Sequence, residues 1–482
     1  MARLLVWLAM AAALGVAVMF GGNVFPDEGW YLYAGRMVAD GRVPYRDFAF
    51  FQAPLSAYLF GFAGGDLMWG RALSLFCGLG AIGFALDLAR MRSRDALVAA
   101  ALLLVPATYT LRWFAVARNI APASMFLVLG VWLAERRVRV GRHAVGLAAV
   151  ALAVAAGFRL SAAGGLAALV LHEWICGRRR EAALGAFAGG GALAAILIPF
   201  FVCAPEGFAF GTVGYHLGLH PAGGWLEQAL AKAQGLWRIA EHHHLLVLCV
   251  LVSLVRWTRS GELLVRSPGT CLPALAAGFV TALHMVAGRV HPEYHEMVVP
   301  LLAVVAALGC TRELAPLRWW RRPVIVRAGV LALGLVQLAG ASAHLWANGV
   351  GWSPRLVEQV AAELVQVAPV GEPVLTFVPD FALGADLPLT PGLEMASVSV
   401  ARPEMGVVEA GRLHMVTLPM LAEELRARRP GAVVWRAFED ADARRVELYG
   451  DAERAAVEAA LRAGYQCVSE RHGWTLWRRK SA

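Results

Sequence analysis

Residues 27–33 read Asp-Glu-Gly-Trp-Tyr-Leu-Tyr and follow directly on the first apolar stretch of the chain. Asp27 and Glu28 are therefore neighbouring carboxylates at the predicted edge of a membrane. Ionisable groups in such places are costly, and those that persist usually have a function. What this pair does depends on the rest of the chain and on the side of the membrane that it faces.

The composition is that of an integral membrane protein. The 482 residues are 59% hydrophobic and 16% charged, with a mean hydropathy of +0.57, whereas soluble proteins average about 25% charged residues. Residues 1–345 contain 29 Lys and Arg against 17 Asp and Glu, and residues 346–482 contain 15 against 18. Membrane loops carry positive charge for topological reasons, so the basic excess does not indicate nucleic acid as a partner.

Eleven apolar stretches predict transmembrane helices, which need roughly 20 residues each. The clearest are 4–24, 182–203, 268–287 and 324–345. The weaker ones are 69–89, 95–111, 119–134, 144–158, 161–176, 244–257 and 297–311. The first stretch lacks a convincing cleavage site at its end, so we expect it to remain as the first span.

Arginines indicate which loops face the cytoplasm. If Met1 is cytoplasmic, the loops that follow the even-numbered spans hold most arginines, for example Arg90 to Arg94 and Arg178 to Arg180. This repeated positive-inside pattern predicts a multi-pass protein of a bacterial cytoplasmic (inner) membrane. It places loops 25–66, 204–243 and 288–296 on the extracytoplasmic side. An odd number of spans places the C-terminal residues there too.

The chain changes character after residue 345. Short apolar runs at Pro373–Val378, Ala432–Trp435, Tyr465–Ser469 and Trp474–Trp477 alternate with amphipathic stretches at Leu356–Val367, Leu418–Arg429 and Ala452–Ala463. Such alternation favours an α/β domain. We therefore predict two domains, a transmembrane domain over 1–345 and an extracytoplasmic α/β domain over 346–482.

The first outer loop resembles a known signature. The segments 27–33, 41–47 and 54–55 are similar to the first-loop motif of the GT-C glycosyltransferases, which are polytopic enzymes that use polyprenyl-phosphate sugars. The nearest similarity is to bacterial relatives of the protein O-mannosyltransferases and lipid A aminoarabinose transferases. The motif covers about thirty residues, and the architecture of many spans with a soluble tail agrees over the whole chain.

The resemblance implies that Asp27 is the catalytic carboxylate, with Glu28 assisting or only orienting. A carboxylate within hydrogen-bond reach of an acceptor hydroxyl would take its proton as general base while a polyprenyl phosphate leaves. Tyr45 and Asp47 belong to the same substrate loop. The alternative is structural, since Asp27 directly follows Pro26 and would suit the start of a helix as a cap.

The sequence departs from the family in the loop after the third span. Many members have a second acid there, whereas residues 109–119 contain Arg112 and Arg118 and no acid. This argues against a metal-assisted mechanism, so a divalent cofactor is not favoured. Arg118 and Arg159 are candidates for binding the donor phosphate, although Arg118 would equally suit a snorkelling position at the interface.

The outer loop 288–296 is the second concentration of polar residues. Arg289, His291, Tyr294 and His295 are assigned to the lipid phosphate or the sugar, because related enzymes often have basic and Tyr residues in a short loop before a Pro-containing span. An ordinary charged turn at the interface is the alternative for this segment.

The outer loop 204–243 is rich in histidine. Tyr215, His216 and His220 are expected to form a loop over the mouth of the site. The run His242–His244 does not predict a zinc site, because consecutive histidines in one helical turn cannot all face one ion.

Two other classes of function fit parts of the pattern. A transporter or lipid flippase would also have many spans, but these proteins tend to show internal repeats and ionisable residues near the midplane. A non-catalytic assembly protein would leave Asp27 and Glu28 without a role. The donor sugar and the acceptor, whether glycan, lipid or protein, cannot be identified from the sequence.

Overall fold

The computed structural model describes residues 2–136, 141, 143–218, 225–260, 271–286, 291–314, 352–436, 448–471 and 473–481. Contacts divide the chain into two compact units. The first unit comprises Met1–Gly22, Arg71–Ile198 and Tyr215–Asn348, and the second comprises Asn23–Gly70, Pro199–Gly214 and Gly349–Ala482. The first outer loop therefore belongs to the same unit as the C-terminal residues.

Helices dominate the described part of the chain. The helices up to residue 175 are α1 (Ala2–Gly21), α2 (Pro26–Ala39), α3 (Leu55–Gly61), α4 (Leu67–Arg90), α5 (Arg94–Leu104), α6 (Thr108–Ala115), α7 (Ile120–Glu135), α8 (His143–Phe158) and α9 (Ala163–Ile175), with a 3₁₀ turn at Leu160–Ala162. Next come α10 (Arg179–Cys203), α11 (Pro205–Ala209), a π-helical turn at Phe210–Gly214, α12 (Tyr215–Leu217), α13 (Trp225–His242), α14 (His244–Ser260), α15 (Cys271–Val286), a 3₁₀ segment at Pro292–Met297 and α16 (Val299–Leu314).

Several of these helices are apolar enough to cross a membrane. Helices α1, α4 and α10 satisfy both length and composition, and the bent pairs α5–α6 and α13–α14, with bends of 70° and 103°, each satisfy them when taken together. Shorter apolar helices are α7, α8, α15, α16 and the segment Leu160–Ile175. Each predicted span from 4–24 to 297–311 thus overlaps an apolar helix. The span predicted at 324–345 lies outside the described residues.

The C-terminal part of the second unit contains the strands. Helices α17 (Pro354–Val367), α18 (Pro379–Gly384), α19 (Val407–Arg412), α20 (Leu418–Arg426) and α21 (Asp451–Gly464) alternate with β1 (Val374–Leu375), β2 (Ala432–Trp435), β3 (Tyr465–Arg471) and β4 (Trp474–Arg479). The strand order is β1-β2-β4-β3. β1 pairs with β2 in parallel, and the other pairs are antiparallel.

The sheet is covered on both faces, which explains why β2 reads as an uninterrupted apolar run. Ala432 and Val434 pack into a cluster with residues of α17 and α18. Val433 and Trp435, which point the other way, pack with residues of α20 and α21. Val24, just before α2, joins the first cluster and pairs through its backbone with Trp352. The polypeptide of the first outer loop is therefore anchored in the core of the second unit.

Candidate functional site

The start of α2 distinguishes the two adjacent carboxylates. Phe25 is the N-cap residue and Pro26 occupies the first turn, where its missing N–H is not needed. The Glu28 carboxylate accepts a hydrogen bond of 2.8 Å from the Phe25 backbone N–H, and Glu28 is fully buried. Glu28 rather than Asp27 therefore caps this helix, in contrast to the structural alternative drawn from the sequence. Asp27 lies half-buried in the first turn, where the helix dipole favours an anion.

Helix α2 is fixed against residues 380–394 of the same unit. The Leu389 N–H donates a hydrogen bond of 2.8 Å to the Tyr33 hydroxyl, and Arg36 forms an ion pair of 2.7 Å with Asp386. The helix approaches this segment so closely that a Cβ on Gly29 would overlap Asp380. The position of Asp27 thus depends on contacts between α2 and the C-terminal residues.

Glu394 and Tyr33 form the buried polar part of this contact. Burial raises the pKa of the Glu394 carboxyl and of the Tyr33 hydroxyl, and the nearby Glu394 charge raises the pKa of Tyr33 further. Within the described residues, Glu394 Oε2 is buried and has no hydrogen-bond partner. The segment that contains Leu389 and Glu394 therefore lies against α2.

Tyr45 and Asp47 shape the first loop from within. The Tyr45 hydroxyl donates to the Gln52 carbonyl, and burial raises its pKa well above the usual value. Asp47 accepts a hydrogen bond of 2.7 Å from the Val43 N–H, and the neighbouring Arg46 guanidinium lowers the pKa of its carboxyl. Both contacts hold the loop in its conformation, and a contact with substrate remains a prediction for both residues.

The first unit gathers a second set of predicted residues. Arg159, in the turn after α8, donates a hydrogen bond of 3.1 Å to the Asn119 side chain. Its guanidinium carbon lies 3.8 Å from the centre of the Tyr294 ring. Its Nε lies 3.4 Å from Nε2 of His284 on α15. Asn119, Arg159 and the region of His284 and Tyr294, which are far apart in sequence, therefore meet around the Arg159 guanidinium.

The partners of Arg159 leave its charge uncompensated. The guanidinium can only donate, so His284 Nε2 must accept, and the Ser161 hydroxyl at 2.7 Å must donate to the same nitrogen. His284 is then the neutral tautomer with its proton on Nδ1. Arg159 is 7% exposed, and among the described residues no carboxylate lies within ion-pair distance of it. A buried cation among neutral groups is costly unless an anion joins it.

Arg118 has a different environment. Its Nη1 lies 3.6 Å from the Glu293 carboxylate, and its guanidinium lies 5.0 Å from the centre of the Trp113 ring. His291 Nδ1 lies 3.7 Å from the same carboxylate. Arg118 is 3% exposed, so the snorkelling position expected as its alternative is not what the structure has.

Two acids of another segment lie beside residues 109–119. Glu293 and Glu296, both buried, lie on the 3₁₀ segment Pro292–Met297. Glu296 accepts a hydrogen bond of 2.7 Å from Thr110 and lies 2.8 Å from His243 Nε2. The absence of an acid within residues 109–119 therefore does not mean that acids are absent around them, because Glu296 contacts Thr110 from another segment. Glu293, Glu296 and His284 were not predicted as site residues, since none forms a local motif, and His243 was considered only as part of the run His242–His244.

The remaining predicted residues are placed as follows. The His295 ring, 5.2 Å from that of His284, is buried, and burial lowers the pKa of its imidazole to about 4. Tyr215 and His216 contact each other in α12. His220 and Arg289 lie outside the described residues. No group of three or more potential metal ligands occurs in the part of the chain that the structure describes.

The arrangement has the fold of the GT-C glycosyltransferases. Comparisons found no matching family model and no similar protein among curated sequences. Among solved structures, ArnT from Cupriavidus metallidurans bound to undecaprenyl phosphate matches with a TM-score of 0.67 at 15% identity, over 99% of this chain and 98% of that one. The apo state of the same protein gives 0.68 at 15% identity, over 98% and 97%.

A more distant match extends the comparison to a second kind of enzyme. The archaeal oligosaccharyltransferase AglB from Archaeoglobus fulgidus, in complex with an inhibitory peptide and a dolichol-phosphate, matches with a TM-score of 0.56 at 12% identity, over 99% of this chain and 74% of that one. ArnT is a lipid A aminoarabinose transferase, and both are GT-C glycosyltransferases. The fold implied by the first-loop motif is confirmed.

Proposed function

We propose that the protein is a membrane glycosyltransferase that transfers a sugar from a polyprenyl-phosphate-linked donor to an acceptor on the extracytoplasmic side of the cytoplasmic membrane. The observation that carries this proposal is the match over nearly the full chain to ArnT bound to undecaprenyl phosphate. AglB in complex with a dolichol-phosphate supports the same class of donor. The positive-inside pattern of the arginines supports the extracytoplasmic side, where cytoplasmic nucleotide sugars are out of reach.

Asp27 is proposed as the general base. In the reaction, an acceptor hydroxyl attacks the anomeric carbon, the bond to the phosphate oxygen breaks, and the hydroxyl proton passes to the carboxylate. The Glu28 carboxylate already accepts from the Phe25 N–H and is fully buried. Asp27 is half-buried in the same turn. These environments favour Asp27 over Glu28 for contact with the acceptor.

Arg159 is proposed to bind the phosphate of the donor and of the leaving lipid. A fixed cation stabilises the negative charge that develops on the phosphate as the sugar departs. Arginine suits this role because its planar fork matches phosphate oxygens. Arg118, His291, Tyr294 and His295 are proposed to complete the same cluster of the first unit, with Glu293 moderating the charge of Arg118.

The chain is further proposed to consist of a catalytic transmembrane domain over residues 1–345 and an extracytoplasmic domain over residues 346–482. Contacts of α2 with Asp386 and Leu389 support a role for the C-terminal residues in holding the first-loop helix. The C-terminal residues could hold the first-loop helix in this way without themselves binding the acceptor.

The test of the proposed function is sugar transfer by the purified protein from a panel of polyprenyl-phosphate sugars, followed as release of the free polyprenyl phosphate. Removing a general base typically costs 10²- to 10⁴-fold, so Asp27→Asn should lower the rate by roughly that factor without lowering thermal stability. Asp40→Asn, at the exposed end of the same helix, is the matched control and should retain activity. Full activity of Asp27→Asn would refute the role of Asp27, and no release from any donor would refute the enzyme class.

A further inference from the structure

Helix α13 has an unusual distribution of side chains. Four of its large exposed residues are apolar: Leu226, Leu230, Leu236 and Trp237 are 43–73% exposed. At 100° per residue, these four lie on one face together with Ala229, Ala233 and Ala240. The face carries no polar residue in the sequence. In a helix that packs on a protein and faces water, the apolar side would point inward.

The opposite face of α13 is polar and lies against the protein. Gln228, Lys232, Gly235 and His242 lie on this side and are buried or half-buried. His242 stacks on the Tyr109 ring with 3.8 Å between ring centres. The next residue, His243, is buried and contacts Glu296. The side of α13 that faces the protein thus carries Gln228, Lys232, Gly235, Ile239 and His242, whereas both the apolar face and the charged flank with Glu227, Arg238 and Glu241 are exposed.

The bend at His243 sets the angle between α13 and α14. The helices on the two sides of this residue meet at 103°. Helix α14 is apolar and also exposes Leu248, Leu251 and Val255. If α14 runs across the membrane, α13 lies close to the membrane plane, and its apolar face continues the apolar surface of α14.

Helix α13 is itself unsuited to span the membrane. It contains Glu227, Lys232, Arg238 and Glu241 within 18 residues. Such a length reaches about 27 Å in a helix. Charged residues at the centre of a span each cost about 2.5–3.5 kcal/mol even on the mildest scale. A helix with one apolar face and one charged face is instead typical of the interface between lipid and water.

We propose that α13 is an interfacial helix whose apolar face, from Leu226 to Ala240, is embedded in the outer part of the lipid bilayer. The contact holds the His242–His243 corner, and through it Glu296 and the 3₁₀ segment Pro292–Met297, at a fixed depth relative to the lipid. The occupant of the apolar face is the lipid surface itself, which α14 would contact if it runs across the membrane. The inference does not depend on the glycosyltransferase activity.

The test uses the full-length protein in lipid nanodiscs, with the photoreactive residue benzoylphenylalanine introduced at one position at a time. Leu230 and Trp237 probe the apolar face, and Ala231 and Arg238, which are exposed and about 100° away, are the matched controls. Mass spectrometry measures the fraction of protein that carries one lipid adduct. We expect roughly tenfold more lipid adduct at the two apolar positions.

Three outcomes would overturn the proposal. Equal lipid adducts at the control positions would show that the helix is not oriented at an interface. Lack of lipid adducts at Leu230 and Trp237 would show that the face is in water or is covered by protein. Chain-to-chain adducts at these two positions would show that the face is a contact between copies of this protein.

Discussion

Arg159 has a cost in stability, and its proposed binding of phosphate would offset that cost. It is a buried cation whose contacts within the described residues are Asn119, His284 and the Tyr294 ring, all neutral. Charged hydrogen bonds to a phosphate are worth about 1.5–3 kcal/mol each, whereas the same charge without an anion is a burden on the empty protein. Function and stability should therefore respond to its removal in opposite directions.

We predict that Arg159→Met lowers the affinity for a polyprenyl phosphate by roughly 10- to 100-fold, as the loss of one such bond implies. Thermal stability of the lipid-free protein should stay the same or rise. Binding is measured with a fluorescent polyprenyl phosphate in nanodiscs, and Arg92→Met, which loses only a half-exposed pair with Glu135, is the control. A fall in stability with unchanged affinity would assign Arg159 a structural role.

His295 gives the protein a defined response to acid. Burial lowers the pKa of its imidazole to about 4, below the value of about 6.5 for a free imidazole. The unfolded chain therefore binds a proton between pH 6.5 and 4 that the folded chain does not, so folding is progressively destabilised as the pH falls through this window. The contribution is fully present above pH 6.5.

We predict that the unfolding temperature of the wild-type protein falls between pH 6.5 and 4, by an amount corresponding to up to about 3 kcal/mol from this group. His295→Gln should flatten this part of the profile, as measured by intrinsic fluorescence during heating in detergent. His291→Gln, which replaces a half-exposed histidine, should retain the wild-type slope. Identical slopes in all three proteins would contradict the neutral state assigned to His295.

The residues around Arg159 show what the sequence could and could not predict. Arg118, Arg159, Tyr294 and His295 were singled out because polar residues in short loops between apolar spans are conspicuous. Glu296 and His284 were not, because their significance lies in contacts with residues that are 53 to 186 positions away in the chain. Conspicuous side chains can be recognised in the local sequence, but which distant helices pack together is decided by the tertiary fold.

At the scale of elements, α2 owes its position to the close approach of Gly29 to Asp380. A Cβ at residue 29 would lie 2.7 Å from the Asp380 backbone nitrogen, closer than side chains are found in folded proteins. Because backbone atoms cannot move aside easily, an added methyl group must shift α2 away from residues 380–394. Asp27, two residues before Gly29, would move with the helix.

We predict that Gly29→Ala lowers sugar transfer by roughly 10²-fold, since misplacement of a reacting group by about 1 Å has an effect of that size. Gly190→Ala in α10 is the control, because its added methyl group meets no atom within 4 Å. The readouts are the transfer rate and circular dichroism, which should show an unchanged helix content in both variants. Full activity of Gly29→Ala would show that the contact with Asp380 does not position Asp27.

The strands and helices of the C-terminal residues were easier to predict from the sequence than the contacts between distant segments. The strand at Ala432–Trp435 and the start of the helix at Leu418 are observed where the sequence indicated them. Both are bounded by residues with local structural signals, since Thr417 caps α20 through the Met420 N–H and Pro430 precedes β2. The anchoring of Val24 on Trp352 was not foreseen, because it joins residues 328 positions apart without any local signal.

At the scale of the whole molecule, the arginine pattern predicts one arrangement in the membrane. The arginine-rich loops, including the one that holds Arg178 to Arg180, are expected in the cytoplasm. The C-terminal residues are expected on the opposite side. Cys467 is suited to report on this arrangement, because it is an exposed cysteine on β3 within the C-terminal residues.

We predict that Cys467 reacts with a membrane-impermeant maleimide in intact spheroplasts. The matched variant combines Cys467→Ser with Arg180→Cys, which introduces an exposed thiol at the start of α10 and should react only after the membrane is permeabilised. Labelling is followed by mass shift on a gel, with Cys467→Ser alone giving the background from other thiols. If Cys467 is labelled only after permeabilisation, the C-terminal residues are cytoplasmic, and the proposed extracytoplasmic reaction with a lipid-linked donor loses its topological support.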